Sequence, residues 1–549
     1  MRGLVDEDAL GTEVTRHGGN DAGGVRADDG EDVHYAGRPC CTRPLAGGWR
    51  KVAGLYWRCM SAPVMRLNWR PAAHGSRPAT GRPQAPRISP AMPRPILEEF
   101  EQLHAAWPDL RQVELLFPDI NGILRGKRCT LDEFRALARD GLPFPASGLI
   151  LDSRGMLVDG LPHGSQDGDP DHPCFPVPGS LLPVPWAQRP LAQVLMGMQQ
   201  ADGRAHVADS RQRLAAVLER FADLGLRPVV AVEFEFYLLE DPQGEQPQLR
   251  HGRVPGTMRR AAGPRAYSIE DLQELDGLFD AIRSACDAQR IPAGSVVSEY
   301  GAGQFEVNLR HVDDALLACD HAVLLRRLLR GVAAREGLAV TFMAKPFAAA
   351  DGSGMHVHVS LLDTAGRNVF ALRPDDDRSH AAPLRHAIGG MLAALPESQA
   401  VFCPNANSYR RIRPGCFAPV AADWGVNHRG VAIRIPVSDA ASLRFEHRVA
   451  GADCNPYLAV AALLAGVHHG IVQRLEPPPG VPEGAQAGVV ASLSRRWEPA
   501  LDAFDAGRIL PGYLGEAFCR LYSTARRFEA EAYHAQVPGL DFDWYLPGI

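Results

Sequence analysis

The sequence has no long run of Lys and Arg, and its 58 basic residues are outnumbered by 64 acidic ones, which gives a net charge of −6. A weakly acidic chain has no basic surface for nucleic acid, so we expect no nucleic-acid partner. Long apolar runs are also missing. The longest, Tyr457–Val467, is shorter than a bilayer requires and predicts a buried helix, so we expect no membrane partner.

No C-x-x-C pair occurs, and the 11 cysteines are scattered along the chain. Because the first residues also lack the apolar core of a secretory signal, these thiols indicate a reducing, cytoplasmic setting rather than a disulfide framework. The G-x-x-x-x-G-K-[ST] pattern is absent too, which excludes a P-loop as the route to phosphate binding.

Three regions differ in composition. Residues 1–92 are rich in Gly, Arg, Asp and Pro with little apolar periodicity, and this predicts a disordered extension. Residues 93–203 begin with a helix and two short strands, Gln112–Leu116 and Gly122–Arg128, and predict a small α+β domain. Residues 204–549 alternate helical and strand patterns and predict a larger domain. The fold class is therefore α+β.

Further elements follow from local periodicity. Helices are expected at Leu131–Asp140, Ser210–Leu224, Ile269–Gln289 and Asp313–Glu336, and again within Trp497–Tyr533. Strands are expected at Gln304–Leu309, Ala339–Met343, Met355–Ser360, Ala432–Pro436 and Leu443–Val449.

Two glutamates interrupt the most apolar strand pattern of the chain. Val229–Leu239 has the sequence VVAVEFEFYLL, in which Glu233 and Glu235 are the only charged residues. In a strand, positions i and i+2 lie on the same face, roughly 6–7 Å apart. Two carboxylates that close are costly unless a positive group lies between them. Alone, the pair is equally compatible with a strand that has one wet face.

Other acids and histidines share this setting of apolar strands and glycine turns. Glu299 and Glu306 flank the Gly301-Ala-Gly303 turn, His356 belongs to MHVHV, and Glu446 belongs to LRFEHRV. Each alone is compatible with a solvated or satisfied polar residue. Together they form a ligand set dominated by oxygen, which suits Mg²⁺ or Mn²⁺ better than structural zinc. The candidate metal ligands are Glu233, Glu235, Glu299, Glu306, His356 and Glu446.

Arginines form a second group, in NSYRRIRPG, NHRGVAIRIP and LRFEHRV. Surface charge is the simplest interpretation, yet Arg434 lies within an apolar strand, where a guanidinium requires a planar anion. Divalent cations beside convergent arginines indicate phosphoryl transfer, in which catalysis consists mostly of positioning and charge neutralisation.

From about Val113 to Ile549 the chain resembles the glutamine synthetase family. The motifs that carry the resemblance, in the family's order, are VEFEF, E-x-G-A-G-Q-F-E, KPF…DGSGMHVHVS, NSYRRIRPG…AP, NHRGVAIRIP, RFEHR and CNPYLAVAALLAG. The resemblance implies an N-terminal β-grasp domain and a catalytic domain whose curved antiparallel sheet is flanked by helices. It also implies homo-oligomeric rings, usually dodecamers of two hexamers.

The resemblance further implies roles for individual residues. Two or more cations would bind in each site, one held by Glu235, Glu299 and Glu306 and the other by Glu233, His356 and Glu446. The expected ATP contacts are His358, Ser360, Arg434 and Arg444. The expected glutamate contacts are Gly352, Arg411 and Arg448. The arginines expected to act in catalysis are Arg411, Arg429, Arg434 and Arg448. The implied reaction is ATP-dependent activation of glutamate as a γ-glutamyl phosphate, followed by attack of a nitrogen nucleophile.

The sequence departs from the family where ammonium would bind. Family members have a Glu three residues after the Pro of the NSY motif, but Phe417 occupies that position here. An Asp in an N-terminal F-D-G-S-S segment is best aligned with Pro145. Ammonium needs carboxylates for binding and deprotonation, whereas Phe417 can line a pocket for a carbon chain. We therefore predict an alkylamine or polyamine as nucleophile, as in γ-glutamylpolyamine synthetases.

Two alternatives remain at this point. One is an ammonia-dependent glutamine synthetase, and the other is a structural or regulatory homologue without catalysis. Asp351, where the family often has Asn, has no account from sequence. Asp152 and Asp159 are candidates for the base that deprotonates the amine, on proximity in sequence alone. The amine itself and the ring size are not specified by the sequence.

Overall fold

The computed structural model describes residues 96–162, 167–240, 250–260, 263, 265–372, 379–488 and 493–549. The disordered extension predicted for residues 1–92 lies outside the described residues. All described residues belong to the unit that spans residues 88–549.

The N-terminal part is a six-stranded sheet with two helices. The helices are α1, Ile96–Ala106, and α2, Leu131–Asp140. The strands are β1 Gln112–Pro118, β2 Leu124–Thr130, β3 Leu142–Pro145, β4 Asp171–Pro176, β5 Leu182–Pro183 and β6 Leu191–Met198. Their order is β2-β1-β6-β4-β3, with β5 also paired to β6, and only β1 and β6 run parallel. A capping box between Thr130 and Glu133 starts α2.

The larger part is built on an eight-stranded sheet. Its strands are β7 Leu226–Glu240, β8 Ala293–Ser298, β9 Gln304–Leu309, β10 Leu338–Thr341, β11 Met355–Asp363, β12 Trp424–Val426, β13 Ile433–Ile435 and β14 Phe445–His447. The order is β12-β13-β14-β11-β7-β9-β8, and β10 pairs with a further part of β7. The predicted antiparallel arrangement is correct except at one edge, where β12 and β13 run parallel.

Alternation along β7 separates its two faces. Val232, Phe234 and Phe236 are fully buried in the core, while Glu233 and Glu235 lie on the opposite face. Because side chains alternate along a strand, the apolar neighbours fix the direction of both carboxylates. The sheet therefore has one apolar face and one face that carries charged groups.

The larger part also contains the helices α3 Ser210–Asp223, α4 Ile269–Glu274, α5 Asp276–Ala288, α6 Ala315–Arg335, α7 Ala382–Phe402, α8 Pro456–Gln473, α9 Trp497–Asp505, α10 Leu510–Leu514, α11 Glu516–His534 and α12 Gly539–Tyr545. Helices α3 and α6 pack directly on β7, whereas α12 has no buried residue. The single helix predicted over Ile269–Gln289 is broken at Leu275, which turns into the hydrophobic core between α4 and α5. The predictions also missed β6 and α7.

Helix α8 confirms the buried helix predicted at Tyr457–Val467, although it is longer than that apolar run. It extends to 18 residues, and among the described residues it is the one helix long and apolar enough to span a membrane by length and composition. Within the structure, however, 78% of that window is buried, as in the central helix of a globular core. Burial, rather than shortness, therefore identifies α8 as a core helix.

Helices α7 and α8 approach each other through glycine. A Cβ on Gly470 would lie 2.6 Å from Cα of Gly390, and a Cβ on Gly390 would collide with the backbone of Gly466 and Gly470. Since the opposing atoms are backbone, no side chain can move aside. The contact between the two helices therefore requires residues without a side chain.

We expect Gly470→Ala to lower the free energy of unfolding by about 3 kcal/mol or more, because an added methyl group overpacks this contact. Gly277→Ala is the matched control: it lies in helix α5 with open space around its Cα. The control should be neutral or slightly stabilising, since Ala is the better helix former. Chemical denaturation of both variants measures the difference, and equal stabilities would contradict close helix packing.

Candidate active site

Strand pairing brings the candidate ligands into one row across the sheet. Glu235 of β7 is opposite Glu306 of β9, and Glu233 is opposite His356 of β11. On the other side of β11, His358 is opposite Glu446 of β14. The next pairing places Arg434 of β13 opposite Glu446. The row therefore joins segments that are far apart in sequence, and its geometry comes from the register of the sheet.

Distances within the row are those of groups that share a ligand. His356 Nδ1 lies 3.5 Å from Glu233 Oε2 and 3.7 Å from Glu446 Oε1, and its Nε2 lies 3.9 Å from Glu235 Oε1. His358 Nε2 lies 2.8 Å from Glu233 Oε1. Gly354 N–H donates to Glu235 Oε2 at 2.7 Å, which orients that carboxylate.

The described residues contain two groups of possible metal ligands, and within each group the ligand atoms lie within 4.8 Å of one another. One contains Glu233, Glu306 and His356, and the other contains Glu233, His358 and Glu446. The first group mixes the two ligand sets expected from the resemblance, and the second includes His358, which was expected to contact nucleotide. The donors are mainly carboxylate oxygens with imidazole nitrogens, and this chemistry fits a hard divalent cation.

The pKa values of the clustered carboxylates also indicate a site for a cation. Burial raises the pKa of Glu306 to about 9, and the charges of Glu233 and Glu235 add to the shift. Burial, together with the charge of Glu235, raises the pKa of Glu299 to about 7. The pKa of Glu233 is lowered, since hydrogen bonds from His356 and His358 outweigh its burial. These carboxylic acids cannot all be ionised at once without a compensating cation.

Glu446 is ionised and anchors two arginines. Burial opposes its charge, but Arg448 and the nearby histidines lower its pKa to about 2. Arg434 Nη1 donates to Glu446 Oε2 at 2.8 Å, and Arg448 Nη1 donates to Glu446 Oε1. The Nε–H of Arg434 is buried and has no hydrogen-bond partner among the described residues. A buried donor without a partner is expected to meet a ligand, and an anion fits a guanidinium best.

The remaining arginines surround the same space. Arg411 is buried and donates to the backbone oxygens of Val449 at 2.9 Å and Arg448 at 3.2 Å. Arg448 Nε donates to the backbone oxygen of Arg429 at 3.1 Å, and Arg444 Nε lies 3.3 Å from His358 Nδ1. Because most of these hydrogen bonds go to backbone oxygens, the positive charge of most of these guanidiniums is not neutralised by a carboxylate.

These groups line a single cavity of about 980 Å³. Every predicted metal ligand lines it, together with His358, Gly352, Phe417 and the arginines at 411, 429, 434, 444 and 448. Ser360 does not: it pairs with Val229 farther along β11 and is absent from the cavity wall formed by the described residues. The structure therefore brings together all the predicted metal ligands and, except for Ser360, all the predicted substrate contacts.

Gly352 packs tightly against Arg411. A Cβ at this position would be 2.7 Å from the Ala344 oxygen and 3.0 Å from Arg411 Cδ. Gln304, which the sequence analysis missed, fixes this loop. Its Nε2 donates to the Gly352 oxygen at 3.0 Å, and its Oε1 accepts from Gly301 N–H at 3.0 Å. One buried amide thus joins the turn between Glu299 and Glu306 to the Gly352 loop.

The proposed bases do not line this cavity. Asp152 is fully buried and accepts hydrogen bonds from the backbone N–H groups of Arg154 and Met156, both at 2.9 Å, and from the Arg154 guanidinium. Its carboxylate therefore stabilises a local turn. Asp159 is exposed and also absent from the cavity wall. Within one chain, neither is placed to accept a proton from an amine in the cavity.

In the metal-free protein, we expect stability to fall as pH rises from about 5 to 9. Folded Glu306, with its pKa of about 9, keeps a proton that the unfolded chain releases near 4.5. Its stabilising contribution is therefore complete below 4.5 and is lost as pH rises through 9. Glu306→Gln should flatten this slope, because an amide cannot ionise. Melting temperatures in a chelator across this range measure both, and identical slopes would contradict the assigned environment.

Comparisons with known proteins agree with this geometry. Residues 207–545 match the family model described as the glutamine synthetase catalytic domain. The γ-glutamylputrescine synthetase PuuA of Escherichia coli is 36% identical over 449 residues, which cover 82% of this chain and 94% of that protein. The γ-glutamylethanolamide synthetase GlnA4 of Streptomyces coelicolor is 32% identical over 472 residues, covering 85% and 98%.

A solved structure of a GmaS–ADP complex is similar with a TM-score of 0.70 at 26% identity, covering 82% of this chain and 99% of that one. The predicted catalytic fold, a curved sheet flanked by helices, is confirmed by this likeness and by the family match. Because the family model spans more than half of the chain and the relatives align over most of its length, the chain belongs to the glutamine synthetase family.

Proposed function

We propose that the protein is an ATP-dependent ligase that joins the γ-carboxylate of glutamate to an alkylamine or polyamine through a γ-glutamyl phosphate. The observation that carries this proposal is Phe417, an apolar ring that lines the same cavity as the carboxylates and arginines. Relatives named for putrescine and ethanolamine support a nucleophile larger than ammonia. The alternative, an ammonia-dependent enzyme, would need a carboxylate where Phe417 stands.

The other alternative, a homologue without catalysis, is disfavoured by the cavity itself. Such a protein need not keep ionisable groups in costly proximity, yet all predicted cation ligands line one cavity here. When bound, Mg²⁺ or Mn²⁺, two or more per site, would neutralise the polyphosphate of ATP. The carboxylates and His356 would hold these cations.

We assign binding of the substrates and the first chemical step mainly to the arginines that line the cavity. Arg434 and Arg444, with His358, would bind ATP, while Arg411, Arg448 and the Gly352 loop would bind glutamate. The γ-carboxylate oxygen then forms a bond to the γ-phosphorus, and the bond to ADP breaks. Arg429 and Arg434 would stabilise charge on the transferring group. The uncompensated Nε–H of Arg434 supports this role.

In the second step the neutral amine nitrogen attacks the carbonyl carbon of the acyl phosphate. The carbon–nitrogen bond forms, the bond from carbon to the phosphate oxygen breaks, and phosphate leaves. The amine must lose a proton to attack, because an alkylammonium has no free electron pair. No described residue of the cavity is assigned as the base.

We further infer the family's domain plan and assembly. The six-stranded sheet with α1 and α2 is assigned as a β-grasp domain within residues 93–203, followed by the catalytic domain at 204–549. Leu540, Phe542 and Trp544 are each at least half exposed at the C-terminal end. Such a patch supports contact between copies of the chain, in line with a ring, as a dodecamer of two hexamers. A cytoplasmic location fits the free, mostly buried thiols.

We expect ATP turnover with glutamate to be faster with primary alkylamines or diamines than with ammonia. A panel of ammonia, methylamine, ethanolamine, butylamine and 1,4-diaminobutane, followed by phosphate release and product mass, tests this. Phe417→Glu should shift the preference toward ammonia by about tenfold, since a carboxylate can bind ammonium. Efficient use of ammonia by the unmodified protein, with no amide formed from the larger amines, would overturn the proposal.

Glu235→Ala should lower kcat by about 10²-fold or more, because it removes an anchor for positive charge beside the reacting phosphate. Glu240→Gln is the matched control, a carboxylate on the same strand that pairs with Arg253 and Arg260 outside the cavity. Light scattering should give the same multiple of 59.5 kDa for both variants. Full activity of Glu235→Ala with intact assembly would contradict the ligand assignment.

A further inference from the structure

Aromatic side chains from separate segments meet at the wall of the cavity. The rings of Tyr300 and Phe417 stack, with centroids 4.9 Å apart and an interplanar angle of 30°. The edge of Tyr267 meets Tyr300 with centroids 6.1 Å apart. All three residues line the cavity, and their exposed fractions are 59% for Tyr267, 39% for Tyr300 and 64% for Phe417. These rings are therefore open to a ligand rather than enclosed in a core.

The backbone is held in an unfavourable conformation to present two of these rings. Phe417 has φ of 52° and Tyr267 has φ of 62°, and they are two of the six non-glycine residues with positive φ in the described part of the chain. Bulky residues rarely adopt this region. The N–H of Tyr267 donates to the Ser298 oxygen at 2.8 Å, which fastens the segment to β8. Strain of this kind persists at sites where it serves a ligand.

The position of the rings relative to the chemistry suggests what they bind. Tyr300 is the next residue after Glu299, a member of the carboxylate cluster. The ring of Phe417, from the loop after Arg411, stacks on the ring of Tyr300. An amine whose nitrogen reaches the acyl phosphate between the carboxylates and arginines would extend its carbon chain along this wall. Aromatic faces favour methylene groups by burying them, and they also attract a distal ammonium.

We propose that Tyr300 and Phe417 form an aromatic wall that binds the carbon chain of the amine, so that the enzyme selects longer primary alkylamines over shorter ones. This inference rests on the proposed function and adds Tyr300 as a specificity-determining residue. Full burial of one methylene is worth up to about fourfold in affinity. The wall should therefore raise kcat/KM stepwise from methylamine to butylamine, mainly through KM for the amine.

The test measures kcat/KM for methylamine, propylamine, butylamine and 1,4-diaminobutane at saturating ATP and glutamate. In Tyr300→Ala, and independently in Phe417→Ala, the ratio of butylamine to methylamine should fall about tenfold. Tyr300→Phe should restore the ratio, because it keeps the ring and removes only the hydroxyl. Leu224→Ala is the control for loss of an exposed apolar side chain outside the cavity, and it should leave the ratio at the level of the parent protein.

A purely structural role for Tyr300 predicts a different result. Tyr300→Ala would then lower kcat/KM for methylamine and butylamine by the same factor, or raise KM for glutamate and ATP, and either outcome overturns the aromatic wall. An unchanged ratio in Tyr300→Ala overturns it as well. Failure of the proposed function is a separate result, since the parent protein would then use ammonia and form no amide with any amine of the series.

Discussion

Repulsion among carboxylates on neighbouring strands is the constraint on which the rest of the site depends. Glu233, Glu235 and Glu306 are held close together, and burial prevents water from screening them. The surrounding structure answers this charge asymmetrically. Histidines of β11 stabilise the anionic form of Glu233 and, together with Arg448, that of Glu446. For Glu299 and Glu306, burial and neighbouring carboxylates outweigh the opposing contributions of Arg429 and Asn308. The imbalance creates an affinity for cations at one end of the row.

The apolar face of the same sheet makes this arrangement rigid. Val232, Phe234 and Phe236 cannot turn toward the cavity without leaving the core, so the carboxylates between them cannot turn away from it. A slip of one residue in register would exchange the two faces, and the cost of exposing three large side chains forbids it. The core thus fixes the positions of the carboxylates. The close contact between α7 and α8 through Gly390 and Gly470 in turn stabilises the core.

Much of this arrangement could be predicted from local sequence. Three local patterns each indicate a strand face that carries unusual polar residues: the E-x-E pair, the MHVHV strand and the glycine turn near Glu306. By contrast, β6 and α7 are buried on most sides, so their residues lack the alternation or amphipathic stripe that marks a surface element. Motif order could place Ser360 near nucleotide, but only strand pairing shows that it lies beyond the cavity wall.

Residues that act through tertiary contact carry no signal in the local sequence. Tyr300 has no local signal of its role, since its meaning depends on Phe417, which lies more than a hundred residues away. Gln304 is a comparable case, because an amide within a strand pattern does not reveal its partners. Such residues become visible only when the strands and loops are assembled.

The two hydrogen bonds of Gln304 have a consequence for how the site fills. One amide accepts from the turn that separates Glu299 from Glu306 and donates to the loop that contains Gly352, so neither segment can shift without loss of a buried bond. The position of one segment is therefore coupled to the position of the other. Thermodynamic reciprocity requires that a ligand at the turn and a ligand at the loop change each other's affinity by the same factor.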